Sequence, residues 1–360
     1  MSLFGQNTLK TYLGLDDLLI LPNASLVEPS QAEISSRLTR NIKIKIPVVS
    51  SPMDTVTEYG MAKALAELGT IGVIHRNMTA KRQVREVRKV KKNGLRVAAA
   101  IGPFDLDRAK ALESAGADVI LIDCAHGHNL NVIKSAKTIK KKVSGQLIVG
   151  NIATRKAAID YLPVQPDAFR VGVGSGSICT TKTATGIGVP LASAIADVYS
   201  IAQKSRIPII ADGGIKSGGD AVKALALGAD CVMIGSLFAG TTESPGKVID
   251  GPSIGLDGTY KLYRGMGSKS VIRETDRYIR SSKCAAEGIE ALVSFRGSVK
   301  HLVEELAWSI KQGMGYVGAK NIQELRKKAN FVLVSSQQGN PNVTQIETER
   351  WLRLRGDSDE

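Results

Sequence analysis

Short apolar runs rich in Val, Ile and Ala recur along the chain, and each run is apolar at nearly every position. Continuous rather than alternating hydrophobicity is typical of strands that are buried on both faces, as in a parallel sheet. The segments between the runs, among them residues 59–68, 105–116 and 218–228, are predicted to be helices. The eight predicted strands cover residues 46–51, 71–75, 96–102, 118–123, 146–151, 168–173, 207–212 and 230–236.

Eight β–α units in succession predict an α/β fold, namely a (β/α)8 TIM barrel that occupies residues 1–360 as a single domain. Barrels of this kind reach such lengths as one unit, so the 360 residues do not require a second domain. An open, doubly wound sheet is the structural alternative, because it is also built from alternating strands and helices.

Polar or small residues stand where each apolar run ends. In a barrel these positions converge on the C-terminal face of the strands, where barrel enzymes build their active sites. Any one of them could be an ordinary cap or turn residue, but nearly all eight strands follow the pattern. The strand-end residues are Ser50, Ser51, His75, Gly102, Asp123, Asn151, Asp212, Gly235 and Ser236.

A glycine-rich loop, VGVGSGSICTTKTATGIGVP at residues 171–190, follows the sixth predicted strand and contains Cys179. Glycine permits positive φ and a close approach of the backbone to an anion or an ion. Because the loop opens onto the face described above, Cys179 is predicted to lie at the mouth of an active site. The segments 212–215 and 233–237 follow strands seven and eight, where barrels commonly hold a phosphate.

A long polar connection follows the eighth strand. Residues 261–268, KLYRGMGS, lead into a polar segment at residues 269–297. A long connection over a barrel mouth is more often a functional lid than spare chain. We therefore predict a flap at about residues 269–297.

The composition restricts the class of protein. With 43% hydrophobic and 23% charged residues, the chain is predicted to be a soluble globular protein with a large core. No apolar run approaches the roughly 18 residues of a membrane span, and the N-terminus has no secretory signal. Four cysteines without CxxC spacing favour a reducing, cytoplasmic setting.

The formal net charge of +14 raises the question of nucleic-acid binding. The basic residues are spread along predicted helical segments, such as those at 81–92 and 137–142, and are interpreted as solvated helix faces. Aromatic residues make up only 4% of the chain, which argues against a stacking platform for single strands. A catalytically silent barrel that binds nucleotides or RNA through this basic surface remains the alternative class of function.

Five motifs in these strand-end regions closely resemble those of the IMP dehydrogenase and GMP reductase family, and the resemblance covers nearly the whole chain. One glycine-rich motif would be weak support, whereas five in order at barrel strand ends are specific. The motifs are SSPMDTVTE (50–58), IDCAHGHN (122–129), GSGSICTT (174–181), ADGGI (211–215) and YRGMGS (263–268).

Within the family, the resemblance favours NAD-dependent oxidation of IMP to XMP, a step of guanine nucleotide synthesis. GSLFAG (235–240) and YRGMGS look like the dehydrogenase forms, and the DRY triplet (276–278) resembles the dehydrogenase flap. Against this, residues 75–102 leave no room for the pair of cystathionine-β-synthase-type regulatory modules found in most dehydrogenases. NADPH-dependent deamination of GMP to IMP, the reductase activity, is therefore the alternative.

The resemblance also implies roles for individual residues. Cys179 would attack C2 of the purine and form a covalent thioimidate, while Arg277, with Tyr278 and Thr181 nearby, would activate the water that hydrolyses it. Asp212 would accept both ribose hydroxyls of IMP, and Glu287 would accept the ring N–H. The other residues expected to bind IMP are Ser51, Met53, Ser177, Gly214, Gly235, Ser236, Tyr263, Gly265, Met266 and Gly267.

The same resemblance implies two cofactors and an assembly. NAD would contact Asp123, Asn151, Arg170, Gly172 and Gly174. A monovalent cation, K⁺, would be bound by carbonyls of Gly174, Gly176 and Cys179, although the tail at 335–360 departs from the family's usual pattern. The family's homotetramer is expected. The two histidines of the HGH triplet (126–128) are not expected to hold a metal, because a third ligand is missing.

Overall fold

Eight parallel strands close into a barrel in the computed structural model, which describes residues 10–274 and 286–334. The predicted (β/α)8 barrel is confirmed, and the open sheet is excluded because β11 pairs with β4, with Val232 opposite Val48. The barrel strands are β4 (Val48–Ser50), β5 (Ile71–Ile74), β6 (Ala98–Ile101), β7 (Val119–Asp123), β8 (Gln146–Ile152), β9 (Ala168–Val171), β10 (Ile209–Asp212) and β11 (Cys231–Ile234).

The barrel strands are apolar throughout because each one faces two cores. In β6, the side chains of Ala98 and Ala100 belong to the cluster inside the barrel, whereas Ala99 and Ile101 pack toward the surrounding helices. All four are fully buried. Successive side chains of a strand point to opposite faces, so burial on both faces removes the polar positions that would mark a half-exposed strand.

The helices surround the barrel, and several begin at a side chain that accepts a backbone N–H. Thr79, Thr154 and Ser217 each accept the N–H of the third residue after them, which satisfies one of the free donors of the first turn. The helices are α1 (Tyr59–Glu67), α2 (Ala80–Lys91), α3 (Leu106–Ser114), α4 (Leu130–Lys142), α5 (Arg155–Tyr161), α6 (Thr181–Thr185), α7 (Leu191–Ala202), α8 (Gly218–Ala226), α9 (Ser236–Ala239), α10 (Lys269–Glu274), α11 (Val299–Val317) and α12 (Ile322–Lys328).

A hairpin covers the N-terminal end of the barrel. It consists of β2 (Ser36–Arg37) and β3 (Lys43–Ile44), and its apolar residues Leu38 and Ile44 join the interior cluster. The Cys231 thiol, at the start of β11, donates to the Arg37 carbonyl at 3.4 Å. The hairpin closes this end, so access to the barrel is from the opposite, C-terminal end.

An antiparallel sheet follows the eighth barrel strand and includes the end of the predicted flap. It contains β12 (Ile249–Asp250), β13 (Thr259–Arg264) and β14 (Glu290–Ser294). The buried ammonium of Lys261 on β13 donates to the Thr241 and Ser244 carbonyls at 2.9 and 2.6 Å, which fastens the sheet to the loop after α9. The central part of the predicted flap, residues 275–285, lies outside the described residues.

The remaining features are an outer pair of strands, the connection between β5 and β6, and the character of the helices. At the edge of the barrel, β1 (Leu18–Leu21) pairs antiparallel with β15 (Asn330–Leu333). Between β5 and β6 the chain forms the helix α2. In the described ranges, 10–274 and 286–334, every helix is too short or too polar to cross a lipid bilayer.

Candidate active site

A cavity of about 510 Å³ opens at the C-terminal end of the barrel strands. Every predicted site residue within the described ranges lines it, whereas Arg277 and Tyr278 lie outside those ranges. The lining residues converge because the parallel strands all end at this face. The predicted residues that line the cavity are Ser51, Met53, Asp123, Asn151, Arg170, Gly172, Gly174, Gly176, Ser177, Cys179, Thr181, Asp212, Gly214, Gly235, Ser236, Tyr263, Gly265, Met266, Gly267 and Glu287.

The loop that carries Cys179 is held close to the end of the neighbouring strand. Gly172 follows β9 with φ +147°, and a Cβ there would overlap the Asp212 carbonyl oxygen, so no other residue fits. The Ser175 hydroxyl donates to that carbonyl at 2.7 Å. A backbone bridge between Val173 and Val189 closes the loop at its base. The thiol is thereby placed over the barrel mouth.

A hydrogen-bonded chain joins the Cys179 thiol to a carboxylate. Sγ of Cys179 lies 3.1 Å from Oγ1 of Thr181, which donates to Oε2 of Glu287 at 2.9 Å. Because a hydroxyl has one proton and this one is given to Glu287, the thiol must donate to Thr181 in this arrangement. When the sulfur is a thiolate, the Thr181 hydroxyl can turn and donate to it instead. The chain therefore offers a path for the thiol proton.

The segment that carries Glu287 is attached to the cysteine loop by its backbone. The Thr180 N–H donates to the Glu287 carbonyl at 3.2 Å, and the Ile289 N–H donates to the Ile178 carbonyl at 3.1 Å. The Glu287 N–H donates in turn to the Gly267 carbonyl at 3.0 Å. The cysteine loop, the end of β13 and the segment after residue 285 thus form one connected wall of the cavity.

Three charged residues form a second chain across the cavity floor. The Arg170 guanidinium donates from Nη1 to Asp123 at 2.8 Å and from Nε to Asp212 at 2.9 Å. Gly150 lies opposite both Asp123 and Arg170 in the strand register. A Cβ at Gly150 would lie 2.6 Å from that of Arg170, so the missing side chain leaves room for the arginine to cross to Asp123.

The Asp212 and Asp123 carboxylates keep the Arg170 guanidinium charged. Burial lowers the pKa of Arg170, but the Asp212 and Asp123 carboxylates more than compensate and raise it above its ordinary value. An arginine paired with two carboxylates is also sterically fixed, because its planar fork matches both acceptors at once. The distance between Asp123 and Asp212 is therefore set by one buried side chain.

Asn151 and Arg76 complete the same chain. Asn151, predicted to be near the dinucleotide, donates to Asp212 and to the Gly172 carbonyl, both at 2.7 Å. Arg76 donates to the Asp123 carboxylate at 3.3 Å and to its carbonyl at 3.1 Å. Arg76 was not among the predicted site residues, although it follows His75 at the end of the second strand, where the strand-end pattern points.

Residues of β13 and of the beginning of α9 also line the cavity. The Tyr263 hydroxyl points at Sδ of Met53, 3.7 Å away, and burial raises the pKa of Tyr263 above its ordinary value. The phenol therefore stays a neutral hydrogen-bond donor. Gly214, Gly235 and Ser236, which are predicted to bind a phosphate, line the cavity together with Tyr263.

Asp54 and Arg264 stand within two of the quoted motifs, but neither was among the predicted site residues. Arg264 donates from Nη2 to Asp54 at 2.7 Å. The two positions are 210 residues apart in the chain, so the sequence pattern offered no signal that they meet. In the HGH triplet, Nε2 of His128 lies 2.9 Å from Asp160. Across the residues that the structure describes, no three His, Cys, Asp or Glu side chains are grouped to hold a metal.

Comparison with known proteins places these residues in context. A family profile described as "IMP dehydrogenase / GMP reductase domain" matches residues 12–341. An inosine-5'-monophosphate dehydrogenase of Cryptosporidium parvum is 41% identical over 90% of this chain and 92% of its own length. The proteins of the same name from Borreliella burgdorferi and Thermoplasma acidophilum are 39% and 36% identical, over 91% and 89% of this chain and 95% and 91% of their own lengths.

The thiols of this protein are expected to differ in reactivity. Burial and the neighbouring Asp123 raise the pKa of Cys124 to about 11, and burial raises the pKa of Cys231 well above its usual range. At pH 8 both remain thiols, which are poor nucleophiles, whereas the Cys179 sulfur contacts the Thr181 hydroxyl, which can donate to a thiolate. Among the cysteines of the described residues, we expect iodoacetamide at pH 8 to label Cys179 before Cys124 and Cys231, as measured by peptide mass spectrometry.

Labelling of Cys124 should begin only as the pH is raised toward 11, because its thiolate appears in that window. Cys231, inside the barrel, serves as the control and should be labelled only in unfolded protein. Equal labelling of Cys124 and Cys179 at pH 8 would show that the difference in environment has no chemical consequence.

Proposed function

Because this chain belongs to the IMP dehydrogenase and GMP reductase family, we propose that it oxidises IMP to XMP with NAD⁺, a step in guanine nucleotide synthesis. The observation that carries the proposal is a single cavity in which the Cys179 loop faces two carboxylates held by Arg170. The relatives described above carry the dehydrogenase name, which favours this activity over the reductase one.

The nucleotide would be bound between the barrel and β13. The Asp212 carboxylate, oriented by Asn151 and Arg170, is suited to accept both ribose hydroxyls. The phosphate would be held by Ser177, Gly214, Gly235, Ser236 and Tyr263, which all line the cavity. Ser51, Met53, Gly265, Met266 and Gly267 would surround the base, and Glu287 would accept its ring N–H.

The dinucleotide would occupy the other side of the cavity, where the residues fit it. Asp123 is a charged acceptor at a strand end, suited to the hydroxyls of the nicotinamide riboside, and Gly172 and Gly174 leave space beside it. When bound, NAD⁺ supplies the hydride acceptor for the purine C2. Since Arg170 fixes Asp123 relative to Asp212, it would also fix the two ribose sites relative to each other.

The covalent step would be performed by Cys179. Its thiolate adds to C2 of the purine, and C2 then loses a hydride to the oxidant, which leaves a thioimidate between sulfur and C2. Thr181 and Glu287 are placed to take the thiol proton before the attack. Water then adds to C2 and the sulfur departs as thiolate, which gives XMP and regenerates the enzyme. A cysteine suits both halves, since it is a good nucleophile and a good leaving group.

Hydrolysis would require a water activator, and we assign this role to Arg277, with Tyr278 and Thr181 beside it. Thr181 is the member of this set within the described residues, 3.1 Å from the sulfur that carries the thioimidate. Monovalent-cation binding by Gly174, Gly176 and Cys179 remains a hypothesis. The Gly176 carbonyl accepts the Cys179 N–H at 3.1 Å, and its second lone pair would be the one that faces the cation. A homotetramer is expected from the family.

Replacing the nucleophile should separate chemistry from binding. Cys179→Ala should abolish NADH formation from IMP and NAD⁺, followed by absorbance, and leave the Kd for IMP within a few-fold of wild type. Binding survives because it rests on the other cavity residues. Cys231→Ala, which removes a thiol from the barrel interior, should retain turnover. Substantial XMP production by Cys179→Ala would rule out the covalent route.

Replacing the proposed water activator should separate the two halves of the reaction. Arg277→Ala should still give a burst of about one NADH per site, because hydride transfer precedes hydrolysis. The steady-state rate of XMP formation should fall by roughly 10²–10⁴-fold, as expected when a proton-transfer catalyst is lost.

Intact-protein mass spectrometry should then show a nucleotide adduct on Cys179 of the Arg277→Ala variant. Normal turnover of that variant would remove Arg277 from the mechanism. Consumption of NADPH with GMP by the wild type, with release of ammonia and IMP, would instead establish the reductase activity. Salt-sensitive RNA binding without any NADH formation would favour the silent barrel.

A further inference from the structure

The nucleotide pocket is assembled from two parts of the fold that are distant in the sequence. One part is the loop after β4, which contributes Ser51 and Met53 to the cavity. The other is the end of β13, which belongs to the antiparallel sheet outside the barrel and contributes Tyr263 and Gly265. The pocket has its shape only when these two parts are held in register.

An ion pair joins the two parts directly beside the residues that line the cavity. Asp54 follows Met53, and Arg264 lies between Tyr263 and Gly265. Arg264 donates to Asp54 from Nη2 at 2.7 Å and from Nε at 3.1 and 3.3 Å. The two side chains are 19% and 10% exposed, so the pair is largely shielded from solvent. Such a fork fixes orientation as well as distance.

A second set of hydrogen bonds fixes Asp54 from behind. Asn77 donates from Nδ2 to Asp54 at 2.7 Å, and its backbone N–H donates to Nδ1 of His75 at 3.0 Å. Because Nδ1 accepts, the proton of a neutral His75 is on Nε2, which lies 3.1 Å from Oε1 of Glu58. His75 is almost fully buried. The carboxylate that meets Arg264 is therefore anchored to the ends of two barrel strands.

Arg264 also contacts the first helix of the flap. Its Nη1 donates to the Ser270 hydroxyl at 3.1 Å, and its backbone N–H donates to the Thr55 hydroxyl at 3.3 Å. Ser270 belongs to α10, which leads into the segment that contains Arg277. One guanidinium thus contacts the barrel and α10 from a position next to the nucleotide pocket.

We propose that Asp54 and Arg264 are positioning residues for the reaction: their ion pair holds the two parts of the IMP pocket in register. Neither residue needs to touch the nucleotide. Loss of the pair would let the 263–267 segment move relative to Ser51 and Met53. A displacement of about 1 Å is enough to weaken the contacts that hold a substrate in position. The inference rests on the proposed function, because it takes IMP to be the occupant of the pocket.

The test measures IMP affinity apart from turnover. Calorimetric titration of wild type with IMP comes first, followed by Arg264→Gln and Asp54→Asn. We expect each variant to bind IMP at least tenfold more weakly, while saturating IMP and NAD⁺ still give a burst of about one NADH per site. The Kd of the double variant for IMP should lie within about twofold of that of the weaker-binding single variant, because both substitutions remove the same interaction.

A matched pair at the other end of the barrel provides the control. Arg326 and Asp230 are 2.9 Å apart and 14% and 19% exposed, but Asp230 precedes β11 at its N-terminal end. Arg326→Gln and Asp230→Asn should lower the Tm and leave the Kd for IMP unchanged. Arg264→Lys keeps the charge but not the fork, so its loss of affinity should be smaller, about three- to tenfold, and it carries the test if Arg264→Gln does not fold.

The inference is overturned if Arg264→Gln and Arg264→Lys bind IMP within twofold of wild type. It is equally overturned if the losses in the two single variants multiply in the double variant, or if the control pair loses affinity to the same extent. A wild type that binds no IMP in the first titration would overturn the proposed function itself, and this inference with it.

Discussion

The buried guanidinium of Arg170 is the interaction on which the architecture of the site depends. It forms an ion pair with each of the Asp123 and Asp212 carboxylates, and the Arg170 side chain is 8% exposed. Removing one partner of a buried charge network leaves an uncompensated charge, at a cost of about 3–5 kcal/mol. The ends of β7, β9 and β10 are therefore held in one arrangement, with the cysteine loop fastened to Asp212 above them.

The rest of the fold makes this arrangement possible. The two cores, inside and outside the barrel, keep the strands aligned, so the residues at their ends share one face. The hairpin of β2 and β3 covers the opposite end, so the cavity opens on the active-site face. Gly150 leaves the space through which Arg170 reaches Asp123, and Gly172 lets the cysteine loop pass against β10. Gly150 thus makes room for a charged side chain, and Gly172 makes room for the backbone.

Much of this could be predicted from the sequence because the relevant information is local. Apolar runs that end in Asp123 or Asp212 predict both the strand and the face on which the carboxylate lies. The predicted runs at 46–51 and 207–212 begin before the observed strands, Val48–Ser50 and Ile209–Asp212. Pro47 and Pro208 have no N–H to donate, so the ladder starts after them.

What the sequence did not predict depends on contacts between distant residues. Asn151 is predicted to be near the dinucleotide, and nothing in the sequence indicated that it also donates to Asp212 and to the Gly172 carbonyl, which lie 61 and 21 residues further along the chain. Arg264 and Asp54 stand in motifs that were quoted for their neighbours, and only the folded chain shows that they meet. Arg277 and Tyr278 lie outside the described residues, so their roles remain predictions from the resemblance.

Arg170 would set the geometry between the proposed IMP site and the proposed dinucleotide site. Single-turnover stopped-flow measurement of NADH formation in Arg170→Lys, with IMP and NAD⁺ both saturating, tests it most directly. Lysine keeps the positive charge but has one ammonium in place of a fork, so it cannot hold both carboxylates in the same way. The account predicts hydride transfer about 10²-fold slower than in wild type, since the reacting atoms are misaligned. Hydride transfer at the wild-type rate would contradict it.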